Sequence, residues 1–364
     1  MSLSDDILPV TLVTGFLGSG KSTLLADVLH GEAAQTTAVL VNEFGAVGLD
    51  HLLVGEVNAQ TVLLDNGCVC CSIRGELRDA LATLFSQRSR GELPPFSRVV
   101  IETTGLATPA PIIATLLADP VVRNHYALNA TITVVDAVNA MSQSARHPEW
   151  LAQVAAADRL LISKADLADE AGVAALADRL AMLNPAASVI VRDREDSAGL
   201  LDRLFASAST HDLMRRLGNA TEGLSRSVAP PSAHGGDDDR YRPWSNAARS
   251  PLTHRSATQP DINAFCIQID EPLDWQVFTL WFTMLLNRHG DKILRVKGLL
   301  CIEGSNQPAV LHAVQHLVHP VLHLDAWPDG KMHSRLVFIT EGLASERVEA
   351  SYMRFRQHLE EAVH

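Results

Sequence analysis

The run Gly15-Phe16-Leu17-Gly18-Ser19-Gly20-Lys21-Ser22 constrains this chain more than any other stretch. It satisfies G-x-x-x-x-G-K-[ST], with an apolar run, Leu8 to Thr14, before it and a helix-like segment, Lys21 to Leu29, after it. A glycine-rich loop between strand and helix turns backbone N–H groups inward around phosphate oxygens, and the helix opening points its positive dipole end at the same place. The spacing gives Lys21 to the β and γ phosphates of a nucleotide and the Ser22 hydroxyl to Mg²⁺. Gly15, Gly18, Ser19, Gly20, Lys21, Ser22 and Thr23 are the candidate phosphate-binding residues.

The surrounding pattern supplies the sheet that such a loop belongs to. Leu8 to Thr14, Thr37 to Val41, Thr61 to Leu64, Arg98 to Ile101, Ala130 to Val135, Arg159 to Ile162 and Ser188 to Val191 are short β-branched runs, most of them apolar on both faces, as buried parallel strands are. Helix-like segments at Ile73 to Phe85, Ala110 to Leu117 and Glu170 to Leu183 alternate with them, which is the βαβ rhythm of an α/β fold. Between Gly218 and Pro260 the pattern dissolves into Gly, Ser, Pro and short charge runs, reading as a linker or insertion. Beyond it, Ala264 to Ile269, Ile293 to Ile302 and Arg335 to Ile339 read as strands, with helices over Trp275 to Asn287 and Glu346 to Glu361. Ala309 to Leu324 fits either period. The expected organisation is a P-loop α/β domain with a mostly parallel sheet over 1–217, a linker over 218–260 and a smaller α+β domain over 261–364.

Three further stretches carry chemistry. Arg98 to Ile101 ends in Glu102, an acid placed to hold Mg²⁺ directly or through water, and Gly105 follows closely enough for its backbone to approach the γ-phosphate. Lys21, Glu102 and Gly105 form the candidate catalytic set. Ser163-Lys164-Ala165-Asp166 resembles the N-K-x-D guanine box with Ser in place of Asn. The Asp166 carboxylate can accept from the ring NH and amino group of guanine, and the Lys164 stem can lie along the purine, so GTP is the expected nucleotide. The third stretch, Cys68-Val69-Cys70-Cys71, crowds three thiols ahead of a helix start, where thiolates form readily and bind borderline metals such as zinc. With the fourth position open or borrowed, the site suits an ion that is handed onward rather than locked in. A redox thiol pair is the competing reading of these residues.

Composition excludes other classes. The 30 Lys+Arg against 42 Asp+Glu give a net charge of −12, which repels a phosphate backbone and argues against a nucleic-acid binder. The longest charge-free stretch, Gly304 to Leu324, holds four histidines and two prolines and makes a poor membrane span. The start of the chain lacks the pattern of a signal peptide, so a cytoplasmic location is expected. His312, His316, His319 and His323 sit among Val and Leu at spacings that alternate sides in a strand and read as structural; His234 and His254, near Asp237 to Asp239, are weak metal candidates.

Taken together, GFLGSGKS at 15–22, Asn42-Glu43-Phe44-Gly45, Cys68-Val69-Cys70-Cys71, Glu102-Thr103-Thr104-Gly105, and Lys164 with Asp166 resemble the CobW-like GTPases of metal trafficking, in the class of the hydrogenase and urease nickel-delivery GTPases. Arg295-Val296-Lys297-Gly298 and Trp327-Pro328 look like that family's C-terminal domain. The resemblance implies a Mg²⁺-dependent GTPase that binds Zn²⁺ or a similar divalent ion at Cys68, Cys70 and Cys71, with Glu43 as a further candidate ligand, and delivers it to a client metalloprotein. The sequence departs from the family at Ser163, at Ala46 where many relatives carry an acid, and in a linker poor in His. A cobalamin-pathway or other nucleotide-dependent enzyme on the same fold, and a client activator timed by its GTPase, stay open as alternatives, as does a homodimer.

Overall fold

A computed structural model of the protein describes residues 7–30, 36–41, 61–63, 73–192, 197–206, 262–327 and 330–363. The chain divides into two compact units, Met1–Met182 with Ala187–Ser209, and Leu183–Ala186 with Thr210–His364.

In the first unit, β1 (Leu8–Thr14), β2 (Thr37–Val41), β3 (Thr61–Leu63), β4 (Arg98–Glu102), β5 (Tyr126–Asp136), β6 (Arg159–Ser163) and β7 (Ser188–Val191) form one sheet in the order β3-β2-β4-β1-β5-β6-β7. Every pairing is parallel. The reason is visible in the side chains: Val10, Leu12, Val13, Val99, Val100, Ile101, Leu160, Leu161 and Ile162 are buried whichever face they point to, so the strands need helices on both sides. Helix α1 (Lys21–His30) contributes Leu24, Leu25 and Val28, and α8 (Ser197–Phe205) contributes Leu200, Leu201 and Leu204, to a core with Val13, Val39, Val100, Ile132, Val134 and Leu161. Helices α2 (Ile73–Ser89), α3 (Ala110–Ala118), α4 (Pro120–Arg123), α5 (Ala140–Arg146), α6 (Pro148–Ala156) and α7 (Glu170–Leu183) complete the unit, with α3 and α6 packed on β5.

All seven strands expected from the sequence are present, and β5 begins earlier, at Tyr126 rather than Ala130. Helices α4, α5 and α6 are not anticipated by periodicity. They are short, and the α5–α6 junction is cut by Pro148 at the first turn of α6, so no window carries a sustained 3.6-residue repeat.

The second unit is an antiparallel sheet of β8 (Ile262–Ile269), β9 (Ile293–Leu300), β10 (Ala309–Val314), β11 (Leu317–Val318), β12 (Leu322–His323) and β13 (Ser334–Glu341), in the order β11-β10-β9-β13-β8 with β12 also on β10. Helices α9 (Trp275–His289) and α10 (Ser345–Val363) accompany it. Asp274 caps α9 by accepting from the N–H groups of Gln276 (2.8 Å) and Val277 (3.0 Å). The core joins Phe278, Trp281, Phe282 and Leu285 of α9 and Val348 and Tyr352 of α10 to Phe265, Val296, Leu311 and Phe338 of the sheet. The stretch 309–324 resolves as strands: β9 offers β10 a partner through five residue pairs, and Ala309, Leu311 and Ala313 enter the core at period two. His316 sits between β10 and β11 and contacts the Leu286 carbonyl through Nδ1 at 2.9 Å, while His323 is exposed on β12, so the histidines of this stretch are spread over several elements.

Candidate nucleotide site

At the carboxyl ends of β1, β4, β5 and β6, four connecting loops meet, and the sheet order makes them neighbours. The first is the glycine-rich loop. Gly15 has φ +142°, and a Cβ there would lie 2.3 Å from the Val134 carbonyl oxygen of β5, so both conformation and space demand glycine. Gly18 and Gly20 also have positive φ, at +71° and +95°. The Ser19 N–H closes the loop on the Phe16 carbonyl at 3.1 Å, and α1 begins at Lys21. Lys21 is buried; its Nζ donates to the carbonyls of Gly15 (2.8 Å) and Phe16 (3.2 Å), which holds the ammonium inside the turn of the loop. Ser19 is buried as well, and Thr23, the third residue of α1, faces solvent.

The second loop follows β4. Glu102 is buried at the strand end, and the Ser22 hydroxyl lies 3.4 Å from its Oε1. Two hard oxygen donors thus converge beside Lys21, the donor type that Mg²⁺ takes, so the residues fit the ion. The Thr103 hydroxyl donates to that of Thr14 (2.8 Å) and its N–H to the Val13 carbonyl (3.0 Å), fixing the end of β4 against β1. Thr104 to Ala107 then form a turn, with the Ala107 N–H on the Thr104 carbonyl at 3.1 Å. Gly105 lies in this turn directly against the phosphate loop: a Cβ on it would sit 2.6 Å from Leu17 Cδ2 and 2.7 Å from the Leu17 backbone nitrogen.

The third and fourth loops follow β5 and β6. Ser163, in the place of the expected Asn, is buried, and its hydroxyl donates to the Ser19 carbonyl of the phosphate loop at 2.6 Å and approaches the Val135 carbonyl at 3.2 Å. Through this hydroxyl the loop after β6 is tied to the glycine-rich loop. Lys164 adopts a left-handed φ of 55°, and its ammonium pairs with Asp136 at 2.8 Å. Asp166 is exposed within the single turn Ala165–Leu167.

Asp136 is a site residue that sequence reasoning missed. It ends β5, is buried, and accepts from the N–H groups of Val138 (2.8 Å) and Asn139 (3.2 Å) and from the Asn139 amide (2.9 Å), besides Lys164. Burial pushes this carboxyl up; the donors from Lys164, Asn139 and the two backbone groups outweigh it and hold it below the ordinary carboxylate range. An acid at a strand end beside a P-loop strand was the available signal.

Glu43, with Asn42 to Gly45, and Cys68, Cys70 and Cys71 lie outside the described residues, as do His234, His254, Pro328 and the 218–260 segment. Among the described residues no group of three or more His, Cys, Asp or Glu is arranged to hold a metal ion.

A lowered carboxyl pKa in the fold stabilises the fold above the unfolded value and is lost as pH falls through the folded value. Asp136→Asn is therefore expected to destabilise the first unit at neutral pH, with the gap from wild type closing as pH drops below about 4, the ordinary Asp value. Denaturant midpoints measured from pH 7 to pH 3 check this; a gap that stays constant across that range contradicts it.

The nucleotide-binding domain of the family described as CobW/HypB/UreG matches residues 9–191, and the C-terminal domain described as that of the cobalamin synthesis protein cobW matches residues 262–356. The zinc chaperone YjiA of Escherichia coli strain K12 is 35% identical over 352 residues, covering 96% of this chain and 99% of that protein. The crystal structure of Zn(II)-bound YjiA GTPase from E. coli superposes with a TM-score of 0.63 at 28% identity, over 96% of this chain and 99% of that one. A Zn(II)-bound YjiA GTPase in which one glutamate and two cysteines are replaced by alanine gives a TM-score of 0.66 at 29% identity, with the same coverage. The full-length match, both domains and the described phosphate-loop geometry agree: the chain belongs to the CobW/HypB/UreG family of P-loop GTPases.

Proposed function

We propose that this chain hydrolyses GTP with Mg²⁺ at the loop cluster above, and that the hydrolysis cycle governs a thiolate site from which zinc or a similar divalent ion passes to a client metalloprotein. The observation that carries the reading is the convergence of Lys21, the Ser22–Glu102 pair and Gly105 around one loop. Phosphoryl transfer to water asks the protein mainly for position and for compensation of charge on the γ-phosphate oxygens. Lys21 brings the cation, and backbone N–H groups of the loop and the start of α1 face the phosphates. Ser22 and Glu102 would hold Mg²⁺, which draws charge from the phosphate oxygens when bound. Gly105 brings a backbone N–H toward the γ-phosphate, and Asp166 with Lys164 receives the guanine.

Zinc enters as cargo, at Cys68, Cys70 and Cys71 with Glu43 as an added ligand. The support is the thiol spacing together with the names of similar proteins, a zinc chaperone and a Zn(II)-bound GTPase. Zinc was bound in the YjiA variant lacking a glutamate and two cysteines, so zinc content alone does not identify a site, and affinity has to be measured. The thiols lie in the chain between the phosphate loop and Glu102, which is the support for coupling to nucleotide state. No described helix is long and apolar enough to cross a membrane, and the cytoplasm is the compartment we assign. Leu17, Leu106, Val138 and Leu167, on the loops at the carboxyl ends of β1, β4, β5 and β6, and Met141 at the start of α5 are exposed, and these apolar side chains support a homodimer formed over the nucleotide face.

Lys21→Ala is expected to lower kcat/KM for GTP by on the order of 10² or more, because the cation held inside the loop by the Gly15 and Phe16 carbonyls is lost. Steady-state hydrolysis within twofold of wild type would overturn the assignment. Asp166→Asn should weaken GTP binding by about 2 kcal/mol through lost charge-assisted hydrogen bonds and leave ATP binding unchanged. Equal affinity of the wild-type protein for GTP and ATP would contradict the guanine reading.

A further inference from the structure

Gln153 is a polar residue in the middle of apolar helix α6, between Leu151 and Val154, and its exposure is 0%. Its amide does not serve the helix. The Nε2 group donates to the Gly105 carbonyl at 3.1 Å and to the Ala107 carbonyl at 3.0 Å, so both amide hydrogens go to one four-residue turn on the far side of the loop cluster. Two carbonyl oxygens can be met only by an NH₂ group, which fixes the orientation of the amide. Its Oε1 then has no hydrogen-bond partner among the described residues, although fully buried. An unmet buried acceptor is costly, and a leucine or methionine would fill the same space without that cost. The side chain is kept for its two donors.

The backbone of Gln153 is itself anchored, since the Thr133 hydroxyl of β5 donates to its carbonyl at 2.7 Å. At the start of α6, the His147 ring lies against Phe16 of the phosphate loop with centroids 4.5 Å apart. Helix α6 and its N-cap residue therefore touch both loops: the phosphate loop through His147 and the Gly105 turn through Gln153. The turn's own closing bond runs from Ala107 to Thr104, and the Thr103 hydroxyl lies 3.2 Å from the Thr104 carbonyl; the Gln153 fork adds the two bonds to the carbonyls of Gly105 and Ala107.

We propose that Gln153 is a positioning residue for GTP hydrolysis, whose amide fork holds the Gly105–Ala107 turn so that the Gly105 N–H meets the γ-phosphate. This rests on the reading of Gly105 given above. It acts on the triphosphate alone, because GDP has no γ-phosphate for the turn to meet. Gln153→Met keeps the volume and removes the donors, and Gln153→Asn keeps an amide but shortens its reach by one methylene.

Both variants, in the full-length chain, are compared with wild type for kcat, for affinity toward a non-hydrolysable GTP analogue and toward GDP, and for thermal midpoint. Expected is a fall in kcat of about tenfold or more and weaker binding of the analogue, with GDP affinity within twofold of wild type; this is the split that loss of a contact to the γ-phosphate, made in the bound triphosphate and strengthened in the transition state, produces. A folded variant with kcat within twofold of wild type overturns the proposal. Parallel loss of analogue and GDP affinity, or failure of both variants to fold, assigns Gln153 to the core alone and overturns it equally. A wild-type chain that binds GTP and GDP but hydrolyses no GTP would sink the underlying reading instead, which separates the two failures.

Discussion

The shape of the glycine-rich loop is imposed by its contacts with three neighbouring strand ends. β5 presses the Val134 carbonyl into the space a side chain at residue 15 would need. β4 is fixed to β1 by Thr103 and Thr14, and β6 reaches the loop through the Ser163 hydroxyl on the Ser19 carbonyl. Each contact exists only because β4, β1, β5 and β6 are adjacent in a parallel sheet, so the order of strands and the geometry of the phosphate site are one constraint. The sheet in turn is buried on both faces, which makes the site's precision a consequence of hydrophobic packing.

Electrostatics works on that scaffold. The chain carries a net charge of −12, yet the loop cluster buries Lys21 after β1 and carries Lys164 on the loop after β6. Lys21 is oriented by two neutral carbonyls, and a phosphate oxygen offers a stronger, charge-assisted partner at the same ammonium. Lys164 is held differently, by the buried carboxylate of Asp136, which fixes its stem and the strained turn that presents Asp166. The loop after β6 is thus braced twice, through Ser163 to the glycine-rich loop and through Lys164 to β5.

What was legible in the sequence was local. Gly15 to Ser22, the seven apolar runs and Glu102 at a strand end are patterns within a few residues, and the structure has them where the pattern puts them. Ser163 shows where the reading was incomplete: the motif displays only a Ser in place of Asn, and the 144-residue separation from Ser19 hides that its hydroxyl reaches the glycine-rich loop. Asp136 and Lys164 are 28 residues apart, and Gln153 is 48 and 46 residues from the carbonyls it holds, so no spacing rule connects them. The ambiguity over 309–324 was settled by β9, a partner strand that the segment's own periodicity could not reveal. Long-range hydrogen bonds and strand pairing are properties of the fold, and a single chain read in order does not display them.

The central claim is that nucleotide state and metal binding share one free energy. Coupling of this kind is typically about 1–3 kcal/mol and reciprocal, and thiol ligands release protons when they bind. Calorimetric titration of Zn²⁺ into the full-length protein loaded with a GTP analogue or with GDP, at two pH values and with Cys68→Ser, Cys70→Ser and Cys71→Ser combined as a control, measures it directly. The account requires affinities that differ between the two nucleotide states by roughly fivefold or more, rise with pH, and lose their nucleotide dependence in the triple variant. Equal affinities in both states, or a nucleotide dependence that survives without the three thiols, would contradict it.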